Sequence, residues 1–376
     1  MKILVAGDYC PQQRVSEFFD KNDFGSVLGN IQNVNNQADY AIVNFECSEC
    51  YGEETPIEKC GPNLRCNDNG VDAIKWAGFD CVTLANNHFY DYGDKGVQNT
   101  LDKCKALGID TVGGGMNLKE ASSILYKEIG EKTLAIINCC EHEFSIASES
   151  HGGSNPLNPV QQYYAIAEAS KKADSVLVVV HGGHEHWQLP SPRMQETYRF
   201  FINAGADAVV NHHQHCYSGY EYYKGKPIVY GLGNFCFDEG LKKDMLWHDG
   251  YMVMIDFDNK CMIDLYPYRQ CAEEADVIIL KDRKIFDSEI EKLNVTIKDC
   301  EKLKKEQSRY YEKSIFSYQS LFDPINLRYV RAFQHRGWLP FMYSNKKLMQ
   351  IINYISCESQ RDKLLFALNS KSNNRK

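Results

Sequence analysis

Short apolar runs alternate with helix-like stretches through the first two thirds of the chain. The runs are Ile3 to Ala6, Ala41 to Phe45, Cys81 to Ala85, Leu134 to Ile137, Val176 to Val180, Ala208 to Val210 and Ile228 to Tyr230, with later ones at Met252 to Phe257 and Met262 to Tyr266. Stretches such as Val71 to Ala77, Gly96 to Leu107 and Pro192 to Ala204 separate several of them. This pattern predicts an α/β fold. The early runs show no strict apolar–polar alternation, so they are expected to be strands buried on both faces. Near Pro267 the pattern changes. Ser288 to Tyr311 is charged, with Leu293, Ile297 and Cys300 at helical spacing, and Tyr329 to Phe333 and Lys347 to Phe366 also have helical patterning. The expected organisation is one α/β domain over residues 1–267 and a helical segment over 268–376. Tyr310, Phe316, Tyr318, Phe322 and Phe341 supply the apolar area that would dock this segment, and residues 370–376 read as a disordered tail.

The residues that follow the runs carry the chemistry. Gly7-Asp8 closes the first, Glu46 the second, Asn86-Asn87-His88 the third, His181 the fifth and Asn211-His212-His213-Gln214-His215 the sixth. In an open α/β sheet the strand ends converge on one edge, which is where ligands bind. Six of the eleven histidines lie between His181 and His215. Imidazoles placed just past buried strands suit a metal centre, because the strands fix them and the loops leave them open to substrate.

Charge and cysteine usage narrow the classes. Net charge is −8, with +6 on residues 271–376 and −14 on residues 1–270. So acidic a front section does not suggest nucleic-acid binding, while the basic segment could face an anionic partner. No apolar run is long enough to cross a bilayer, and Met1 to Asp8 reads as a buried first strand rather than a signal peptide. A cytoplasmic location and reduced cysteines are therefore expected. Cys47, Cys50, Cys60 and Cys66 are a lesser candidate for a zinc loop, their spacing being wrong for a zinc ribbon. Gly113-Gly114-Gly115 lacks the Lys-Ser/Thr of a phosphate loop.

Asp8, Glu46, Asn87, His88, His181, His213 and His215 together offer two carboxylates, an amide oxygen and imidazoles. That set suits two divalent ions such as Mn²⁺, Fe²⁺ or Zn²⁺, with one carboxylate able to bridge them. Two ions about 3.5–4 Å apart can hold a hydroxide and both ends of a phosphoryl displacement, and a histidine beside the asparagine can protonate the leaving oxygen.

The chain resembles the bacterial capsule-synthesis family typified by the poly-γ-glutamate capsule proteins, a branch of the calcineurin-like metallophosphoesterases. The residues that carry the resemblance keep their order from residue 1 to about 267. They are Gly7-Asp8, Asn44-Phe45-Glu46, Gly61-Pro62-Asn63-Leu64-Arg65, Ala77-Gly78-Phe79-Asp80, and Leu84-Ala85-Asn86-Asn87-His88 with Asp91-Tyr92-Gly93. Next come His181-Gly182-Gly183 with Glu185, Pro192 with Gln195, and Ala204-Gly205-Ala206-Asp207. The last are His212-His213-Gln214-His215 and Leu232-Gly233-Asn234-Phe235 with Phe237-Asp238. The resemblance implies a four-layer α/β/β/α sandwich with metals at the strand ends. It places Asp8, Glu46 and His215 on one ion and Glu46, Asn87, His181 and His213 on the other. It makes His88 the general acid, puts Arg65 against an anionic substrate group and gives Asn234 a backbone-organising role.

One position departs from the superfamily pattern. Cys10 stands where a histidine usually follows the first aspartate, so the first ion site is expected to be weak or empty. Glu46 also stands where an aspartate is more common. Asp91 reads as a turn or helix-cap residue, Glu185 as the partner of a nearby histidine, and His184 and His186 as solvated. Two functions are consistent with this sequence. One is a metal-dependent hydrolase acting on a phosphoester or another bond of an anionic small molecule or polymer in surface-polymer synthesis. The other is a binding or assembly component that keeps the scaffold and docks to a membrane-bound polymer synthase.

Overall fold

The computed structural model describes residues 1–67, 69–240, 245–313, 327–340 and 343–356. A first compact unit runs from Met1 to Lys304. Its first sheet contains β1 (Lys2–Cys10), β2 (Tyr40–Phe45), β3 (Cys81–Thr83) and β4 (Asp110–Val112), all parallel. Its second sheet contains β5 (Leu125–Ile129), β6 (Lys132–Cys140), β7 (Ser175–His181), β8 (Ala208–His212), β9 (Tyr220–Tyr223) and β10 (Lys226–Val229). The chain then returns to the first sheet. There β11 (Asn234–Phe237) pairs parallel with the end of β1, and β12 (Asp249–Asp256), β13 (Met262–Gln270) and β14 (Val277–Ile279) extend it antiparallel. The centre of the second sheet, β6-β7-β8-β10, is again parallel.

Successive strand residues point to opposite faces, and the core divides accordingly. Ile3 and Val5 of β1 meet Ile136, Leu177, Val179 and Val210 between the two sheets. Leu4 and Ala6 face the other way, into a cluster with Val71 and Ile74 of helix α1 (Gly70–Ala77). On the outer face of the second sheet, Val178 and Val180 pack with Ile166 and Ala169 of α2 (Pro159–Lys172) and Tyr198 and Phe201 of α3 (Pro192–Ala204). Helix, sheet, sheet and helix thus form the expected four layers. Each fully buried Val, Leu or Ile contributes roughly 1.5–3 kcal/mol, which explains why the central strands tolerate almost no polar residue before their last positions.

The first unit extends past the boundary expected near residue 267. Strand β13 keeps its pairing with β12 to Arg269, and Val277-Ile278-Ile279 then adds an edge strand where helix was expected. Helix α4 (Lys284–Lys298) follows, with Phe286 and Ile290 entering the inter-sheet core and Ile297 the outer one. Helix α5 (Cys300–Glu312) spans the end of this unit, and the second unit runs on from Lys305. In that second unit the structure describes α6 (Arg328–His335) and α7 (Asn345–Ser356). Of the proposed docking aromatics, Phe316, Tyr318, Phe322 and Phe341 lie outside the described residues, as do residues 370–376.

Candidate metal centre

Strands β1, β2, β3, β7 and β8 present their C-terminal ends on one edge of the sandwich. Asp8 gets its orientation from a break in β1. The β1–β2 register shifts between Ala6 and Asp8, and such irregularities re-aim a side chain. Gly7 makes this possible, since a Cβ there would stand 2.0 Å from the Gly233 carbonyl oxygen. On the second sheet, His213 (φ 91°) and His215 (φ 53°) hold left-handed conformations that cost non-glycine residues free energy and collect at functional sites. The backbone N–H of His213 donates to Asp8 Oδ2 at 3.1 Å, so the first sheet pins the loop of the second.

The two sheets supply different donors to a shared space. From the first come Asp8, Glu46 and Asn87, and from the second His181, His213 and His215. All six are buried. Ligand atoms of Glu46, His181 and His213 lie within 4.8 Å of one another, and so do those of Asp8, Glu46 and His215. His181 Nε2 stands 2.9 Å from Asn87 Oδ1, 3.0 Å from His213 Nδ1 and 3.5 Å from Glu46 Oε1. His215 Nε2 is 3.9 Å from Glu46 Oε1. Glu46 therefore belongs to both groups, as a bridging ligand would.

Second partners fix the rings. His215 Nδ1 meets Asn234 Oδ1 at 2.9 Å, leaving Nε2 toward the cluster. Asn234 also donates to the Trp247 carbonyl at 3.2 Å. Asn44, left unassigned by sequence reasoning, reaches Asp8 Oδ1 at 2.8 Å and His181 Nδ1 at 3.2 Å. His212, also unassigned, puts Nδ1 3.1 Å from Asp8 Oδ1. Glu143 Oε1 lies 3.8 Å from His213 Nε2, a contact that no spacing in the sequence signals.

Charge in this space is unbalanced in a way that fits a cation. Both carboxylate oxygens of Glu46 are buried and accept no hydrogen bond. Burial, and then the neighbouring Asp8 charge, push its carboxyl well above the usual range. Burial also raises Asp8, but attraction from His212, its Nδ1 3.1 Å from Oδ1, outweighs it and holds the Asp8 carboxyl well below normal. Burial keeps His181 neutral, reinforced by His213, and lowers His215 to about 4. Neutral imidazoles beside a buried carboxylate that lacks donors match the donor set of a divalent ion. The residues present therefore fit a metal. Cys10 is buried and belongs to neither candidate group.

His88 follows Asn87 but is not in either ligand group. Its Nδ1 meets Asp91 Oδ2 at 2.6 Å, which leaves Nε2 as the nitrogen able to deliver a proton. Asp91 is fully buried and also accepts the Leu64 backbone N–H at 2.7 Å, and it pairs with Lys59. It thus organises the His88 loop rather than merely ending a turn. Lys59 had no sequence signal; its Nζ is buried and lies 3.2 Å from His88 Nδ1. Arg65 is exposed, its guanidinium 5.9 Å from the centre of the Tyr92 ring. Glu185 and His186 are exposed, whereas His184 is half-buried beside Trp187. Every described cysteine is free, and Cys47, Cys50, Cys60 and Cys66 form no candidate metal group among the described residues.

Comparison with known proteins adds the family. The family described as bacterial capsule synthesis protein PGA_cap matches residues 2–239. A capsule biosynthesis protein CapA of Bacillus anthracis is 32% identical over 248 residues, covering 64% of this chain and 60% of that protein. The PGA biosynthesis protein CapA of Bacillus subtilis is 31% identical, covering 62% of each. A probable polyglutamine synthesis accessory protein of Mycobacterium tuberculosis is 26% identical, covering 58% and 60%. The chain thus spans about 60% of the length of these relatives.

Proposed function

Because the chain belongs to the bacterial capsule synthesis family PGA_cap, we propose that it is a divalent-metal-dependent hydrolase acting on a phosphoester or similar bond in a precursor of a surface polymer. One observation carries this reading. Glu46 buries two oxygens without a hydrogen-bond donor, and the Nε2 atoms of His181 and His215 stand 3.5 and 3.9 Å from one of them, Oε1. A divalent ion held by Glu46, Asn87, His181 and His213 would polarise the substrate oxygen and acidify a bound water. A second ion would draw on Asp8, Glu46 and His215.

The chain's own groups have distinct roles in this proposal. His88 protonates the leaving oxygen from Nε2, because its Nδ1 is held by Asp91. Lys59 balances the buried Asp91 charge, so the carboxylate orients the ring without carrying an unpaired charge. Arg65 holds an anionic group of the substrate at the exposed rim.

A second reading makes the chain an accessory component of a polymer synthase, and the name of the mycobacterial relative favours it. Metal analysis and turnover together distinguish the two. The hydrolase reading expects bound divalent metal, chelator-sensitive cleavage of a generic phosphodiester or monoester, and recovery with Mn²⁺. Full metal loading with no cleavage of either ester, or cleavage unchanged by His88→Ala, would sink it.

A further inference from the structure

The second unit carries chemistry that the metal centre does not use. Between residues 327 and 356 the sequence has five Lys or Arg and no Asp or Glu. The same stretch exposes large apolar side chains. Tyr329 is 76% exposed, Trp338 68% and Met349 71%, and Phe333, Ile352 and Ile355 are also exposed.

Their spacing is orderly. On α6, Tyr329 and Phe333 are four residues apart and share a face, whereas Arg328 and His335, seven apart, share another. On α7, Leu348, Ile351, Ile352 and Ile355 follow i, i+3, i+4, i+7 spacing, with Lys346 and Lys347 outside that stripe. Trp338 follows α6, with the Arg336 guanidinium 5.7 Å from its ring centre. Apolar stripes flanked by cations, with Trp and Tyr at the boundary, are what lies flat in the headgroup layer of a membrane.

We infer that α6, the Trp338 turn and α7 form a surface that binds an anionic lipid bilayer peripherally. Charge selects this occupant over two others. A second copy would bring two acid-free basic surfaces together, at a like-charge cost. A soluble polyanion would neutralise the cations but leave the apolar side chains in water. An anionic bilayer satisfies both faces at once. The inference does not depend on the metal centre being catalytic.

The test uses the full chain and sedimentation with vesicles of phosphatidylcholine alone or with about 30% phosphatidylglycerol. Partitioning onto the anionic vesicles should be about 10-fold or more above the neutral ones, and should fall steeply as salt rises. Arg328→Glu with Lys346→Glu and Lys347→Glu, and separately Phe333→Ser with Trp338→Ser and Met349→Ser, should each lower it by about 10-fold. A third measurement avoids any folding defect in those variants: brominated lipid should quench wild-type tryptophan fluorescence, and Trp338→Phe should remove that quenching. Equal binding to both vesicle types, or none, overturns the inference. So does quenching that survives Trp338→Phe. Vesicle-free self-association abolished by the same substitutions, with no vesicle binding, would assign the surface to a second copy instead.

Discussion

The two prospective ion positions share Glu46, whose oxygens accept no hydrogen bond, but only one of them also draws on a carboxylate that is already engaged. At the position built from Glu46, Asn87, His181 and His213, the Glu46 oxygens accept no hydrogen bond. At the position built from Asp8, Glu46 and His215, the aspartate is already engaged. Asn44 donates to Asp8 Oδ1 and the His213 backbone to Oδ2, with His212 also 3.1 Å from Oδ1. A buried charge without partners gains most from a cation, while a satisfied one must share its lone pairs. The difference argues for unequal affinities, with the Glu46–His181–His213 position tighter. Cys10, standing where the superfamily usually has a histidine, is expected to weaken the other position further.

The largest expected effect comes from removing what the positions share. Glu46→Gln should abolish both and lower any hydrolysis by at least about 10³-fold. In chelator the same variant should be more stable than the wild type, because the Glu46 carboxyl, pushed well above its usual range, must take up a proton on folding whereas a neutral amide need not. Mass spectrometry for bound metal and thermal melting in chelator check the two halves. A wild-type protein that melts higher than Glu46→Gln in chelator would show that the glutamate is already satisfied without a cation.

Next in size are the neighbours that leave β3. His88→Ala should keep its metal and lower turnover by about 10²–10⁴-fold, the usual worth of a positioned acid. Asn87→Ala should instead weaken metal binding at the tighter position, since its Oδ1 lies 2.9 Å from His181 Nε2. If His88→Ala loses metal and Asn87→Ala does not, the two roles are reversed.

A smaller effect separates the positions directly. Calorimetric titration of metal-free protein with Mn²⁺ should show two unequal steps, and Asp8→Asn should remove the weaker while leaving the tighter within about 10-fold. Cys10→Ser should alter neither. Two equal steps would mean that the hydrogen bonds at Asp8 impose no penalty on metal binding.

How much of this was legible in the sequence follows from what kind of interaction each feature uses. The layers could be read because strands buried on both faces become apolar runs, as at Val176 to Val180. The six ligand candidates could be listed because each follows such a run within five residues. Asn44, Lys59, Glu143 and His212 could not. Asn44 sits inside an apolar run, and Lys59 and Glu143 come from loops whose approach depends on tertiary packing. His212 is one of several adjacent histidines, and only the left-handed turn at His213 decides which of them face the cluster. Asp91 looked local because it precedes Gly93, yet its partners include Lys59, 32 residues earlier. The strand at Val277–Ile279 was missed because three residues give too short a pattern to distinguish from the start of a helix.

The last and smallest effect uses another buried carboxylate as a control. Glu49 is fully buried and its Oε1 accepts no hydrogen bond, much as at Glu46. Among the described residues no candidate ligand group includes it, however; its other oxygen lies 3.0 Å from the Cys66 thiol. Without a cation available, the way to relieve a buried charge is to keep the proton, and burial accordingly pushes Glu49 up to about 7. The sign of the stability change follows. Between the unfolded value of 4.5 and about 7, the folded state holds a proton that the unfolded chain has lost. Stability should therefore fall as pH rises through that window, on the order of 3 kcal/mol in all, and this term should be flat on either side. Glu49→Gln should remove this loss, so that the difference in melting temperature between variant and wild type grows from pH 5 to pH 7.5. Added Mn²⁺ or chelator should leave that difference unchanged, whereas the Glu46→Gln difference should depend on it strongly. A Glu49→Gln difference that moves with metal would show that Glu49 and Glu46 are electrostatically one site, and the contrast between a carboxylate relieved by a proton and one relieved by a cation would fail.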